Sequence, residues 1–418
     1  MMSEYHTGLC VRSLKYKIPD TNVLPTENFD FAEALESVYP LLETVFSYLN
    51  YPELITCCQV KESWKKLAEK ELSRRILPSW FTCYKAKGKW NSTSQVFKYS
   101  RNLNHNNVGI AIILYDYCMI KLHEYICVHS VHRNTMDLSR KTVPEYLEEE
   151  IIPQNIDYCV LSCAKVVSSF EEPPIEQESS NVCNIIDGLI IPKIHNVRTA
   201  MFHIKPNKKD TTDIIRQYIR EDDQVKCLLM FSTRSLSRFA YSGLLSLLIS
   251  DRPYHTVAVG GGIIMGTKTF QEVRPTKRVY TSSEIFCIAF MEDRSIPASF
   301  NAYSCVIRGD DLTKEEFTEE LLKFKNNIKL REKSVAIRIC CTAKVGGEEE
   351  TLLVNNVFPN IPILGFNAGG ELGWNCFSNT MKDDGDDGSK AKRRKQRLPP
   401  VPSVYQQWST VLVILTWS

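Results

Sequence analysis

The feature that most restricts the fold is an ordered set of segments that occurs twice, about a hundred residues apart. The first copy opens with a polar–apolar helix, Thr211 to Glu221, and passes into an apolar strand, Val225 to Ser232. A second helix follows at about Ser235 to Ile249, then a short strand with a glycine run, Thr256 to Gly266, and a long strand, Glu284 to Met291. In the second copy, Thr313-Lys314-Glu315-Glu316 has the capping-box form, and Phe317, Leu321, Phe324 and Ile328 share one helix face. The strand Ser334 to Cys341 comes next, then a short helix around Glu349 to Phe358, the glycine segment Ile361 to Gly373 and a final strand at about Val404 to Thr416. Helices alternating with apolar strands call for mixed α/β layers. The repeated order makes them one pseudo-duplicated body with mixed sheets rather than two unrelated domains.

Buried-strand runs precede the repeat at Val108 to Leu114, Tyr158 to Leu161 and Asn184 to Ile191, the last closed by Pro192. A polar loop, Glu171 to Ser180, separates the second from the third. Two readings of the glycines stay open. Gly260-Gly261-Gly262 and the later set Gly365, Gly369 and Gly370, followed by Glu371, can make tight turns, or a concave rim of free N–H groups that suits an anion or carboxylate. Neither run has the spacing of a dinucleotide or P-loop fingerprint. Cys341 closes a central strand beside these glycines, either as a reactive thiol or as buried structural sulfur. A substrate or ligand site on the body would therefore draw on Gly260, Gly261, Gly262, Cys341, Gly365, Gly369, Gly370 and Glu371.

Composition excludes several classes. Lys plus Arg is 51 against 49 for Asp plus Glu, a net charge of +2, which argues against a surface built for nucleic acid. No apolar run reaches the ~20 residues of a membrane helix, and Glu4, Tyr5 and His6 stand where a signal peptide would be apolar. Fifteen cysteines, scattered and without a C-x-x-C, read as reduced thiols of a cytoplasmic or nuclear protein. His123, Cys127, His129 and His132 cannot all converge on one ion from a single strand, because successive side chains alternate faces. No metal and no cofactor is expected, and no catalytic constellation: Arg234, Ser235 and Ser237 are explained by a helix N-cap.

Residues 1–30 read as a loose leader and 31–78 as a helical module. Leu41, Leu42, Val45, Phe46 and Leu49 recur at helical spacing; Asn50 to Glu53 breaks the run, and Pro52 suits the first turn of a second helix. A third helix carries Val60, Trp64, Leu67, Ala68 and Leu72. So small a module must bury its apolar face against something else. Tyr39-Pro40, Glu43, Val45 to Leu49, Glu53-Leu54, Val60, Trp64 and Leu67 resemble the F-box, with Tyr39 in place of the usual Leu, and Lys61 and Glu62 departing after Val60. The segment Val357 to Phe366 followed by Gly369 to Gly373 resembles the carboxy-terminal signature of FIST domains. The chain is thus similar to F-box proteins with a FIST-type body: F-box over 31–78, an amino half over 79–300 and a carboxy half over 301–418.

That resemblance implies a substrate-recognition subunit of a Skp–cullin–F-box ubiquitin ligase. The adaptor-binding residues would be Pro40, Leu41, Val45, Phe46, Leu49, Leu54, Val60 and Trp64, with Trp64 more a brace between the helices than a contact. The partners would be the ligase adaptor, its cullin scaffold and a protein to be ubiquitinated, with chemistry supplied in trans. The alternative is a small-ligand sensor using the glycine segments and Cys341. The sequence departs from the family at 379–402, acidic at Asp383 to Asp387 and then basic at Lys390, Lys392, Arg393, Arg394, Lys395 and Arg397. Its composition is that of a disordered loop, and the basic run is either a nuclear-import signal or a solvated stretch neutralised by its acidic neighbour.

Overall fold

The computed structural model describes residues 39–87, 93–100, 102–103, 105–118, 125–127, 140–152, 156–170, 184–204, 211–234, 238–249, 256–271, 274–279, 285–296, 299–309, 311–344, 347–377 and 403–418. It has two compact units, Met1–Tyr48 and Leu49–Ser418. The described part of the first is one helix, α1 (Tyr39–Tyr48). The second begins with α2 (Tyr51–Cys57) and α3 (Glu62–Arg74) and continues into three mixed sheets. Among the described residues no helix is long and apolar enough to cross a membrane.

The body is built in thirds. The first contains β1 (Ser79–Lys87), β2 (Thr93–Tyr99), β3 (Val108–Asp116), the small pair β4 (Tyr125–Cys127) and β5 (Arg140–Thr142), a short α4 (Val143–Tyr146) continuing as a π-turn to Ile151, then β6 (Asp157–Cys163), β7 (Lys165–Val166) and β8 (Asn184–Pro192). The second contains β9 (Val197–Ile204), α5 (Thr211–Tyr218), β10 (Asp223–Ser232), α6 (Arg238–Leu248), β11 (Ala258–Ile263), β12 (Gly266–Gln271), β13 (Arg274–Val279) and β14 (Ile285–Asp293). The third contains β15 (Phe300–Arg308), α7 (Lys314–Asn326), β16 (Lys333–Cys341), α8 (Gly347–Val357), β17 (Ile363–Ala368), β18 (Glu371–Gly373), β19 (Tyr405–Gln406) and β20 (Ser409–Trp417).

Each third lays down the same four-strand core. A central strand runs parallel to one neighbour and antiparallel to a closing strand, which in turn pairs with a fourth strand. The spatial orders are β6-β3-β8-β1, β11-β10-β14-β9 and β17-β16-β20-β15. The two copies expected from sequence are the second and third of these, and the first third is a further copy. It escapes the helical signature because the strand β2 stands where the others have their first helix, and the short α4 and π-turn stand for the second.

The thirds are also interlocked. After its parallel neighbour, each third sends a short strand into the sheet of another. β7 pairs with β17, β12 with β6 and β18 with β11, all antiparallel. The exchange closes a ring: first into third, third into second, second into first.

The core follows from strand alternation. On β16, Val335, Ile337 and Ile339 join the largest cluster, which also takes Ile110, Ile112 and Leu114 of β3, Leu228 to Phe231 of β10 and Val411, Val413 and Leu415 of β20. The opposite face of that sheet, with Ala336, Leu412 and Ile414, packs on Phe317, Leu321 and Phe324 of α7 and Val354 of α8. Thr313 caps α7 through the reciprocal pair with Glu316, as its sequence requires.

Gly260, Gly261 and Gly262 lie inside β11, not in a turn. A Cβ on Gly260 would sit 2.3 Å from Val413 Cγ2, one on Gly373 2.6 Å from Val411 Cγ1, and one on Gly262 2.7 Å from Ala368 Cβ. The glycines therefore let the six-stranded sheet approach the five-stranded sheet more closely than side-chain-bearing strands could. The expected rim of free N–H groups is absent here for a physical reason: β11 is paired on both sides, to β10 and to β18.

Candidate functional site

The helices come first. On α1, Leu42 and Phe46, four residues apart, are buried, while Leu41, Val45 and Tyr48 are 48%, 40% and 79% exposed. Residues four apart stack in one row on a helix, so α1 carries two neighbouring apolar rows and only one is covered. Val60, between α2 and α3, is exposed as well, and Pro40 lies in the first turn of α1. Of the expected adaptor contacts, Leu41, Val45 and Val60 present surface, and Leu49 and Trp64 are half-buried. Phe46 and Leu54, expected as contacts as well, are buried.

The start of α2 follows its sequence. Asn50 accepts from the Glu53 N–H at 3.0 Å and the Glu53 carboxylate accepts from the Asn50 N–H at 2.7 Å, with Pro52 in the first turn. Arg75, just past α3, fixes this pair of helices. Its Nη1 donates to Leu49 O at 2.6 Å and to His105 O at 3.0 Å, and its Nε lies 2.9 Å from Glu71 Oε1. Trp417 of β20 donates Nε1–H to Ile76 O at 2.8 Å.

Behind α2 and α3 a cleft of about 850 Å3 separates them from the body. Tyr51, Ile55 and Leu72 are among the residues on the helical wall; the turn Lys193 to Val197, with Arg198, Arg220, Asp223 and Asp293, is on the other. Asn196 takes a left-handed φ of 59° in that turn, which links a strand of the seven-stranded sheet to one of the six-stranded sheet. Periodicity could not find this cleft, since its walls lie far apart in the chain.

The residues expected to bind a ligand on the body are largely interior. Gly365 faces backbone: a Cβ there would meet Val167 O at 2.0 Å, so this glycine admits the strand exchanged from the first third. Gly370 packs on the Tyr405 ring, and Gly369 is exposed beside Ile263. Cys341 and Glu371 are brought together. Glu371 is 0% exposed, its Oε2 accepting from Ser409 Oγ at 2.8 Å and from the Ser409 N–H at 3.3 Å. Burial pushes its carboxyl above the usual carboxylate range, against the hydrogen bonds from Ser409 and Cys341. Burial raises the Cys341 thiol as well, and the neighbouring Glu371 adds to the rise. A thiol held in its neutral form is a poor nucleophile, so the geometry favours structural sulfur over a reactive one.

A second buried cluster lies on the helix-covered face of β16. Arg338 Nη2 and Lys344 Nζ reach Glu350 at 2.9 Å and 2.6 Å, and Thr410 Oγ1 donates to Glu350 at 2.6 Å. Burial works to raise the Glu350 carboxyl, but the Arg338 charge with Lys344 and Thr410 carries it below its ordinary range. No sequence signal marked this cluster, whose members come from a strand, the segment after it, a helix and a distant strand. The basic run Lys390 to Arg397, the loop Glu171 to Ser180 and His123, His129 and His132 lie outside the described residues. No family model matches the chain, and no curated protein matches it.

Proposed function

We propose that the chain is the substrate-recognition subunit of a Skp–cullin–F-box ubiquitin ligase. In this reading α1 to α3 form an F-box that docks on the adaptor, and the three-sheet body, of FIST type, recruits the protein to be modified. The observation that supports it is the uncovered apolar row Leu41, Val45 and Tyr48 on α1. Monomeric surfaces scatter single apolar residues, whereas a row at helical spacing is the pattern a partner groove takes up. The chain then does no chemistry. It holds target lysines near the ubiquitin donor and so raises their effective concentration. Its place of work would be the cytoplasm and nucleus.

The small-ligand alternative is weakened by the packing. The glycines meant to line a pocket face Val413, Ala368 and Val167 instead.

The test is co-purification with the ligase adaptor of wild type and of a Leu41→Asp/Val45→Asp variant. Both positions are exposed, so the variant should fold. Two unpaired carboxylates pressed into an apolar interface should cost at least about 4 kcal/mol, roughly a thousandfold in Kd. Retained binding by the folded variant would overturn the proposal.

A further inference from the structure

We propose that Tyr48 is a phosphorylation site for a protein tyrosine kinase, and that phosphate on its hydroxyl switches adaptor docking off. The inference deepens the receptor reading: its regulatory half rests on that reading, its chemical half on α1 alone.

Tyr48 is the last residue of α1 and closes the row that Leu41 and Val45 begin. At 79% it is the most exposed large apolar or aromatic side chain among the described residues. Its hydroxyl has no hydrogen-bond partner among them. The fold therefore makes no use of this hydroxyl, and phenylalanine would present the same apolar ring. What the hydroxyl adds is a nucleophilic oxygen in solvent. In the transfer, the γ-phosphoryl group of ATP forms a bond to Tyr48 Oη as its bond to the β-phosphate oxygen breaks. ADP leaves, and the phenolic proton passes to the general base of the kinase.

Nothing on α1 would hold the phosphate. Glu43 is its only charged residue, and no basic residue stands in its last turn. The carbonyls that end a helix carry partial negative charge, so an anion there is repelled. Phosphotyrosine brings about −1.5 to −2 charge at neutral pH, with no cation on the helix to pair with it. The row Leu41, Val45 and Tyr48 is the surface α1 offers to an apolar groove, and a phosphate there must be desolvated unpaired when the groove closes on it. Under those conditions phosphate breaks an interface instead of building one. The exclusion also runs the other way, because a row covered by the adaptor hides the hydroxyl from a kinase.

The test incubates the full chain with magnesium, ATP and a broad-specificity tyrosine kinase domain, maps incorporation by mass spectrometry, and measures adaptor binding before and after. Tyr48 should be phosphorylated, and saturating adaptor should slow that reaction roughly tenfold or more. The phosphorylated chain should bind the adaptor roughly a hundredfold more weakly or worse. Tyr48→Phe should take up no phosphate at that position and should bind the adaptor within about threefold of wild type. In the Leu41→Asp/Val45→Asp variant, which does not dock, phosphorylation of Tyr48 should run at the same rate with and without adaptor. No incorporation at Tyr48, adaptor binding undiminished by the phosphate, or bound adaptor that leaves the phosphorylation rate unchanged would overturn the proposal. Phosphorylation of Tyr48 in a wild type that binds no adaptor would overturn the switch through failure of the receptor reading, and would leave the modification site standing.

Discussion

Replacing Gly260 by alanine adds one methyl group at a point where two sheets touch. The new Cβ would lie 2.3 Å from Val413 Cγ2, well inside van der Waals contact, while its next neighbours, Leu229 Cδ2 at 3.5 Å and Val413 Cβ at 3.6 Å, are at ordinary distances. Val413 is fully buried on β20, between β15 and β16, and has nowhere to retreat. Overpacking of this kind costs about 1–3 kcal/mol. Val413→Ala alone removes two methyl groups and should cost about 2 kcal/mol from lost burial and the space left behind. In the double variant the methyl of residue 260 enters the space vacated by Cγ2 and meets only atoms at ordinary contact distance. Its cost should therefore fall about 1–2 kcal/mol below the sum of the two single costs, within the range of directly touching pairs. Urea unfolding followed by tryptophan fluorescence measures all four chains. Gly243→Ala serves as comparison: it lies exposed in α6 with nothing within 4 Å of its Cβ, and the same change there should stabilise by about 0.5–1 kcal/mol. A neutral Gly260→Ala, or strictly additive single effects, would refute the sheet-contact account of the glycines.

Two further outcomes concern buried charge. Glu350→Gln leaves Arg338 and Lys344 buried without their carboxylate and should destabilise by about 3–5 kcal/mol near neutral pH. Because the Glu350 carboxyl is lowered in the fold, its contribution is present above the ordinary carboxylate range and lost as pH falls through its folded value, so wild type and variant should converge in acid melts. Glu371 behaves in the opposite sense. Its carboxyl is raised by burial, so the stability it contributes is complete at acid pH and lost as pH rises through its folded value. Glu371→Gln should remove that loss, and thermal melts that show the variant gaining nothing over wild type toward neutral pH would contradict it.

The duplicated part of the body was legible because its helices carry apolar residues at regular spacing next to continuous apolar strands. The first third lacks such helices, and its strands β1 and β2 went unread for want of that context. The edge strands β9 and β15 were also missed. Polar residues interrupt them, as in Val197-Arg198-Thr199 and Phe300-Asn301-Ala302, because one side of each strand is only partly covered. For α1 the sequence presents two adjacent apolar rows, Leu41 with Val45 and Leu42 with Phe46, and periodicity alone cannot say which turns inward. The glycines posed the same difficulty at longer range. Whether Gly260 makes a turn or a sheet contact depends on Val413, a residue no local window contains. The cleft residues and the Arg338–Glu350–Lys344 cluster are likewise products of tertiary assembly.

The ring of exchanged strands has a consequence for how the protein is made. Ser168, just past β7, shares a hydrogen bond with Gly365 across 197 residues of chain. On the ribosome, the first third emerges with one of its sheets waiting for β12 and its own β7 waiting for β17. In the third sheet β15 cannot join β16 until β20 is available to lie between them. Nascent chains of this protein therefore carry unpaired strand edges for most of their synthesis, the condition that invites pairing with other chains. Folding dominated by such distant pairings is slow. A fragment ending between two thirds would keep those edges permanently, and two such fragments could satisfy them in each other, turning an intramolecular ring into a domain-swapped dimer.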